Sequence, residues 1–150
     1  MFAVPLSAGR AAAMTLIFAF VLALANTAAT SEAAAQSARD RAAIQGVITR
    51  QLDAFKLDDK SRAFSFASPT IQRMMGSPER FLALVARSYP QVYRSKSHRF
   101  LTLGLNGNRL VQRVLVEGEN GSVVTALYEM VRVDGTWRIN GCRLIRGDAV

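Results

Sequence analysis

The first half of the chain places its hydrophobic residues at the spacing of an α-helix. Beginning near Asp40, they recur at intervals of three and four residues and predict one amphipathic helix whose buried face carries Ile44, Val47, Ile48, Leu52 and Phe55. A shorter helix is predicted from Lys60 to Phe66, because Asp58 and Asp59 can cap the first turn of this partly apolar segment.

Two Ser-Pro pairs predict the next helix starts. In Ser68-Pro69 and Ser77-Pro78 the serine oxygen can accept a free backbone amide, and the proline already has a helical φ. Gly76 is expected to end the first of these helices in a left-handed conformation. The second is predicted from Pro78 to Ser88, and Pro90 is expected to prevent further regular helix. Its shared apolar face would hold Phe81, Leu84, Val85 and Tyr89.

From His98 onward the hydrophobic period changes from about 3.6 to about 2, which predicts β-strands. Three dipeptides that favour positive φ predict hairpin turns: Asn106-Gly107, Asn120-Gly121 and Asp134-Gly135. The strands that these turns separate are predicted at Arg99 to Leu105, Arg109 to Glu117, Ser122 to Arg132 and Thr136 to Ile145. Consecutive strands joined in this way form an antiparallel meander.

Alternation within the strands predicts which faces are buried. Leu101, Leu103 and Leu105 give the first strand one apolar face. The segment from Val123 to Val131 is apolar on both faces, as expected of a strand covered on both sides. In the last strand Gly141 interrupts the alternation and predicts a β-bulge.

Three to four helices followed by a four-stranded meander predict an α+β fold in which the helices cover one face of the sheet. A strongly curved sheet would leave a cavity beneath the helices. This layout resembles the cone-shaped nuclear-transport-factor-two-like fold, in which a long first helix and further helices curl over a bent antiparallel sheet. A fold resemblance of this kind implies no particular activity.

Several stretches stand in the order typical of one bacterial family. They are QLDAF (51–55) with Asp58-Asp59, FASPTIQ (66–72), GSPERFLALV (76–85), YPQVY (89–93), ALYEM (126–130) and GTWRINGC (135–142). On these residues the chain resembles, from Ala42 to Leu144, the family catalogued as domain of unknown function 4864. The resemblance implies the nuclear-transport-factor-two-like fold and supplies no activity and no catalytic residues.

Residues 1–35 have the composition of a signal peptide. Arg10 lies in a short start without acidic residues, and the apolar run from Ala11 to Ala25 is shorter than the roughly 20 residues of a membrane-spanning helix. Small residues between Ala25 and Ala35 offer several cleavage sites. The sequence therefore predicts an exported single domain, 36–150, in the periplasm or secreted. An uncleaved membrane anchor is the alternative.

The chain is basic, with 19 Lys and Arg against 11 Asp and Glu and a net charge of +8. The bases are spread along the sequence, which favours a solvated basic surface. Docking on anionic lipids or polymers of the cell envelope is the alternative. Export argues against nucleic acid as a partner.

The few reactive side chains argue against a zinc enzyme and against a disulfide-stabilised fold. Cys142 is the only cysteine and His98 the only histidine, so the sequence predicts neither an internal disulfide nor a histidine-based metal site, and we expect no cofactor. Cys142 is interpreted as a small buried hydrophobic residue. His98 is expected at the surface, and neutral beside Lys96 and Arg99.

Two carboxylates could serve as a general acid or base if a cavity buried one of them: Asp53 and Glu129. For Asp53 an ion pair with Lys56 is the simpler interpretation. For Glu129 it is a cross-strand pair with an arginine such as Arg113.

Three tyrosines are better candidates for a binding site than these two carboxylates are for catalysis. Tyr89 and Tyr93 flank the break at Pro90, and we expect them and Tyr128 to form the polar lining of a cavity. The preferred hypothesis is a non-enzymatic module that binds a small apolar or amphipathic ligand, or a protein partner. The alternatives are an isomerase or dehydratase that uses a buried carboxylate, and an envelope protein that docks through its basic surface. The open sheet face at Val123 to Val131 also predicts a homodimer.

Overall fold

A computed structural model describes residues 36–146, with side chains described as far as residue 145. The predicted signal peptide and its cleavage window lie outside the described residues. Of the described residues, 40–146 belong to one compact unit. Within the described range, no helix is both long and apolar enough to cross a membrane.

Five helical segments precede the sheet in the described part of the chain. They are α1 at residues 36–56, α2 at Lys60–Ser65, α3 at Pro69–Met75, α4 at Pro78–Ser88 and α5 at Pro90–Tyr93. The long first helix, the short second one and both Ser-Pro helices are confirmed. The predicted apolar face of α1 is buried, with exposures of 5% or less at Ile44, Val47, Ile48, Leu52 and Phe55.

Side-chain caps begin three of these helices. Ser68 and Ser77 each accept a hydrogen bond from the backbone amide three residues later, at 3.2 and 3.3 Å, and Asp59 caps α2 in the same way. Gly76 ends α3 with a φ of +77°, a conformation that a side chain would disfavour. The capping residues predicted from the sequence therefore set the observed helix boundaries.

The expectation that Pro90 prevents further helix is wrong by one turn. Pro90 occupies the first position of α5, where a backbone N–H would have no partner within the helix, so the N–H that proline lacks is not missed. The amide of Arg94 bonds to the Pro90 carbonyl at 3.0 Å and closes the turn. This additional turn decides where Tyr93 lies.

The second half forms a four-stranded antiparallel meander, so the α+β class is confirmed. Its strands are β1 at Ser95–Asn106, β2 at Arg109–Gly118, β3 at Val123–Val133 and β4 at Thr136–Arg146, in the order β1-β2-β3-β4. β1 begins four residues before its predicted start at Arg99. Asp134 and Gly135 both have positive φ in the last hairpin, as the Asp-Gly turn predicts.

A β-bulge in β1 changes the face that the sequence predicts for this strand. Phe100 pairs with Val114 and Leu103 with Gln112, so β1 has one residue more than β2 between these pairs. Phe100 and Leu103 consequently both pack against the core. The prediction that Leu105 belongs to the buried face is wrong, because Leu105 is 75% exposed.

The core lies between the helices and one face of the sheet. On β3 the buried hydrophobic residues are every second one, Val124, Ala126, Tyr128 and Met130, and they pack in one core cluster with the buried face of α1. The opposite face of β3 is only partly covered by described residues, since Val123 is 49% exposed. The prediction of complete cover on both faces is therefore wrong at this end of the strand.

Candidate functional site

An apolar pocket opens between the helices and the inner face of the sheet. Its volume is about 210 Å³. Helices α1, α3, α4 and α5 contribute walls, and β3 and β4 contribute the floor. The lining residues are Gln51, Phe55, Ala67, Ile71, Met74, Met75, Phe81, Leu84, Val85, Tyr89, Val92, Tyr128, Ile139, Gly141 and Cys142.

Aromatic packing holds the wall that α1 and α4 share. The ring of Phe81 lies 5.9 Å from that of Phe55 and 5.4 Å from that of Phe64, measured between centroids, and both pairs are tilted. Phe81 and Val85 are buried one turn apart on α4, as its hydrophobic spacing predicts. Two helices are thereby fixed at the side of the pocket.

The floor of the pocket carries two polar but uncharged groups. Tyr128 and Cys142 are direct partners across β3 and β4, so their side chains lie on the same face of the sheet. Tyr128 is 1% exposed, and its hydroxyl has no hydrogen-bond partner among the described residues. The thiol of Cys142 is near enough to influence the pKa of Tyr128 without meeting the geometry of a hydrogen bond.

Burial keeps both floor groups protonated. It raises the pKa of the Tyr128 hydroxyl well above its usual value, and the neighbouring Cys142 adds to this rise. It also raises the pKa of the Cys142 thiol to about 12, a rise that the Tyr128 hydroxyl opposes. The inner end of the pocket is therefore neutral across the physiological range.

Tyr89 also lines the pocket, at a half-buried position where α4 ends. Its hydroxyl donates a hydrogen bond to the backbone carbonyl of Cys142 at 3.2 Å. This bond joins the end of α4 to β4. Burial raises the pKa of Tyr89, so this hydroxyl remains a donor.

Tyr93, the third tyrosine of the predicted lining, is not among the residues that line this pocket. The extra helical turn of α5 places its hydroxyl against Asp58, to which it donates a hydrogen bond. Arg94 donates to both carboxylate oxygens of Asp58 at 2.8 Å and stacks 4.0 Å from the centre of the Tyr93 ring. The bonds from Tyr93 and then Arg94 lower the pKa of Asp58. This cluster joins the end of α1 to the start of β1. Ligand contact by any of the three tyrosines stays a prediction.

Neither candidate carboxylate lines the apolar pocket. Asp53 lies 3.7 Å from Lys56 in the ion pair that the sequence predicts, and both side chains are exposed. Glu129 accepts hydrogen bonds from Arg109 at 2.9 Å and Asn140 at 2.8 Å. The predicted cross-strand pair of Glu129 with an arginine is confirmed, but the partner is Arg109 rather than Arg113, because the register of the sheet sets Arg113 opposite Leu127.

The bulge predicted at Gly141 is confirmed and positions Asn140. Glu129 pairs with Gly141 but Met130 pairs with Ile139, which leaves Asn140 as the additional residue. The side chain of Asn140 accepts a hydrogen bond from Ser68 at 2.7 Å. Ser68 therefore links the start of α3 to the edge of the pocket floor.

His98 is half-buried rather than fully at the surface. It lies 3.4 Å from the hydroxyl of Thr49 on α1. Its pKa is lowered, as predicted, but by burial first and then by Lys56 on α1, rather than by Lys96 and Arg99. Across residues 36–146, no three His, Cys, Asp or Glu side chains come together as a metal site would require.

Sequence patterns alone do not bring Cys142, Met74 and Met75 to a common site. Regular alternation from Trp137 and Ile139 predicts Cys142 on the opposite face of the sheet. The bulge at Asn140 brings Cys142 to the pocket face, opposite Tyr128. The methionines follow Ser68-Pro69 within one short helix, and their unbranched side chains suit an irregular pocket wall.

Residues 37–149 match the family model described as "Domain of unknown function (DUF4864)". No curated protein and no solved structure matches the chain. The match covers the helices and the sheet that enclose the pocket, and it confirms the resemblance drawn from the sequence motifs.

Proposed function

The chain belongs to the DUF4864 family, a domain of unknown function, and we propose that it is a non-enzymatic module that binds a small apolar or amphipathic molecule in its inner pocket. The observation that carries the proposal is the buried hydroxyl of Tyr128 at the floor of an otherwise apolar cavity. A buried polar group without a partner costs about 1–3 kcal/mol, which a ligand with a hydrogen-bonding group would recover.

The size of the pocket limits the ligand. A cavity of about 150 Å³ accommodates benzene, so 210 Å³ accommodates an apolar body of about eight non-hydrogen atoms. Four aromatic residues line the space: Phe55, Phe81, Tyr89 and Tyr128. They suit an aromatic ring as well as a short aliphatic chain.

The chemistry of the lining favours binding over catalysis. An isomerase or dehydratase of the type considered from the sequence would need a carboxylate inside the cavity. Asp53 and Glu129 are instead held in ion pairs elsewhere, and the floor groups Tyr128 and Cys142 are protonated. A neutral floor suits recognition of a neutral group and leaves no base to remove a proton.

The cellular setting belongs to the same proposal. We place the domain outside the cytoplasm, periplasmic or secreted, after removal of a signal peptide, and with the cone-shaped nuclear-transport-factor-two-like architecture. Pairing of two copies through the outer sheet face, where Val123 and Ile145 are exposed, is the proposed oligomer. Docking on an anionic envelope surface remains the alternative role of the basic exterior.

Leu84→Trp is the first test of the pocket. The larger side chain enters the cavity that Leu84 lines, so we expect the affinity for toluene, a neutral probe of suitable size, to fall at least tenfold. Toluene binding is measured by ligand-observed NMR. Leu57→Trp is the matched control, because Leu57 is 72% exposed and lies away from the lining. Equal affinity in the two variants, or no binding to the unmodified protein, would refute the proposal.

Tyr128→Phe tests the unpartnered hydroxyl. We expect the free energy of unfolding of the ligand-free protein to rise by about 1 kcal/mol, because the change removes a buried polar group without a partner. The affinity for phenol should fall about fivefold, while the affinity for toluene should not change.

Tyr89→Phe is the matched control for this change. It removes a hydrogen bond to the Cys142 carbonyl and should lower the free energy of unfolding by about 1 kcal/mol. Both values come from urea denaturation. If Tyr128→Phe destabilises the protein as much as Tyr89→Phe does, the hydroxyl of Tyr128 has a partner within the protein and the argument fails.

A further inference from the structure

We propose that the ligand of the inner pocket is an amphipathic anion, with its apolar body inside and its negative group held at the entrance by Arg80 and Arg87. This inference rests on the proposed function and names the chemical class of the ligand.

A second cavity lies on the outside of the helices and shares part of its lining with the inner pocket. This second cavity, here called the arginine groove, has a volume of about 360 Å³ and is lined by Met74, Met75, Arg80, Ala83, Leu84 and Arg87. Met74, Met75 and Leu84 line both spaces. In the proposed complex the ligand passes between α3 and α4 at these three shared residues.

Both arginines are available to a ligand. Arg80 and Arg87 are exposed and seven residues apart on α4, which places them on one face of that helix. No ion pair with either side chain is present among the described residues. Glu79, the only carboxylate of α4, is bound by Lys60 at 2.9 Å instead.

The neighbouring helix α3 provides no acidic side chain to neutralise the groove. α3 contains no Asp or Glu and contributes one more cation, Arg73. The arginine groove is thus cationic, whereas the floor of the inner pocket at Tyr128 and Cys142 is neutral. A guanidinium pairs well with a carboxylate. A ligand with one apolar and one anionic end would therefore place the apolar end in the inner pocket and the anionic end in the arginine groove.

Three probes with the same skeleton and different head groups test the inference. They are 3-phenylpropanoate, 3-phenylpropan-1-ol and 3-phenylpropylamine, whose shared phenylethyl part of eight carbons matches the pocket's capacity of about eight atoms. Isothermal titration calorimetry measures their affinities. We expect the acid to bind at least tenfold more tightly than the amine, with the alcohol between them.

The double variant Arg80→Gln with Arg87→Gln assigns the effect to the groove. We expect its affinity for the acid to fall about four- to twenty-five-fold, at about two- to fivefold for each exposed ion pair, with the alcohol unaffected. Unchanged alcohol binding also shows that the variant is folded. The control is Arg99→Gln, an exposed arginine of β1 that lines neither cavity, and it should leave both affinities unchanged.

The outcomes separate the two proposals. If the alcohol binds as tightly as the acid, or if Arg99→Gln weakens acid binding as much as the double variant does, the anionic class is wrong and the pocket proposal stands. If none of the three probes binds, both proposals fail. A decrease in acid affinity with increasing salt, absent for the alcohol, would further support the ion pairs.

Discussion

Replacing Gln112 with methionine is expected to lower the free energy of unfolding by about 2–4 kcal/mol, the largest loss of stability we predict for one substitution. Gln112 is completely buried in β2. Its side-chain amide donates to the carbonyls of Leu101 at 3.2 Å, Thr102 at 3.4 Å and Arg113 at 2.9 Å. Two of these carbonyls belong to the bulge of β1, where the regular ladder is interrupted.

Methionine has nearly the shape of glutamine but cannot donate a hydrogen bond, so the substitution isolates the polar contribution. The bulge carbonyls would lose their buried donor, and each unsatisfied group costs about 1–3 kcal/mol. The loss is reduced because the Gln112 side-chain oxygen itself has no partner and would be removed as well.

Urea denaturation monitored by circular dichroism measures the change. Gln91→Met is the matched control, because Gln91 is half-buried and donates to one side chain, Ser122 at 3.1 Å. We expect a loss below about 1 kcal/mol for the control. A similarly small loss for Gln112→Met would contradict the stabilisation of the bulge by Gln112.

The bulge also shows why the sequence predicts some of this fold and not the rest. Helix starts at Ser68 and Ser77 depend on a side chain and an amide three residues apart, so local sequence determines them. Two carbonyls of the bulge in β1 accept hydrogen bonds from Gln112, which lies about ten residues away on the next strand. The alternation of Leu101, Leu103 and Leu105 contains no sign of that contact.

The residues of the inner pocket show the same difference between local patterns and contacts distant in sequence. The apolar face of α4 predicts Phe81, Leu84 and Val85 at the pocket, because helical periodicity is local. The contact of Tyr128 with Cys142 depends on strand register, which sequence patterns define only to within the turn geometry. The same uncertainty led to Arg113 rather than Arg109 as the predicted partner of Glu129.

Cys142 is expected to react with iodoacetamide at neutral pH on the order of a thousandfold more slowly in the folded protein than in the urea-unfolded protein. The thiolate is the reactive form, and loss of hydration at the half-buried position of Cys142 raises the pKa of this thiol from its usual 9.0 to about 12. Three pKa units correspond to about a thousandfold less thiolate. Since Cys142 is the only cysteine, mass spectrometry follows one modification site.

The pH dependence of the same reaction gives the sign of the effect on stability. A thiol whose pKa is raised by folding keeps its proton while the unfolded chain releases one, so the folded state loses relative stability as the pH rises above about 9. Alkylation of the folded protein should therefore remain slow until the pH approaches the folded pKa, and a disulfide between two copies should not form under native conditions. Rapid alkylation at neutral pH would show that the thiol is ionised and open to solvent, and it would remove the neutral floor on which the choice of ligand depends.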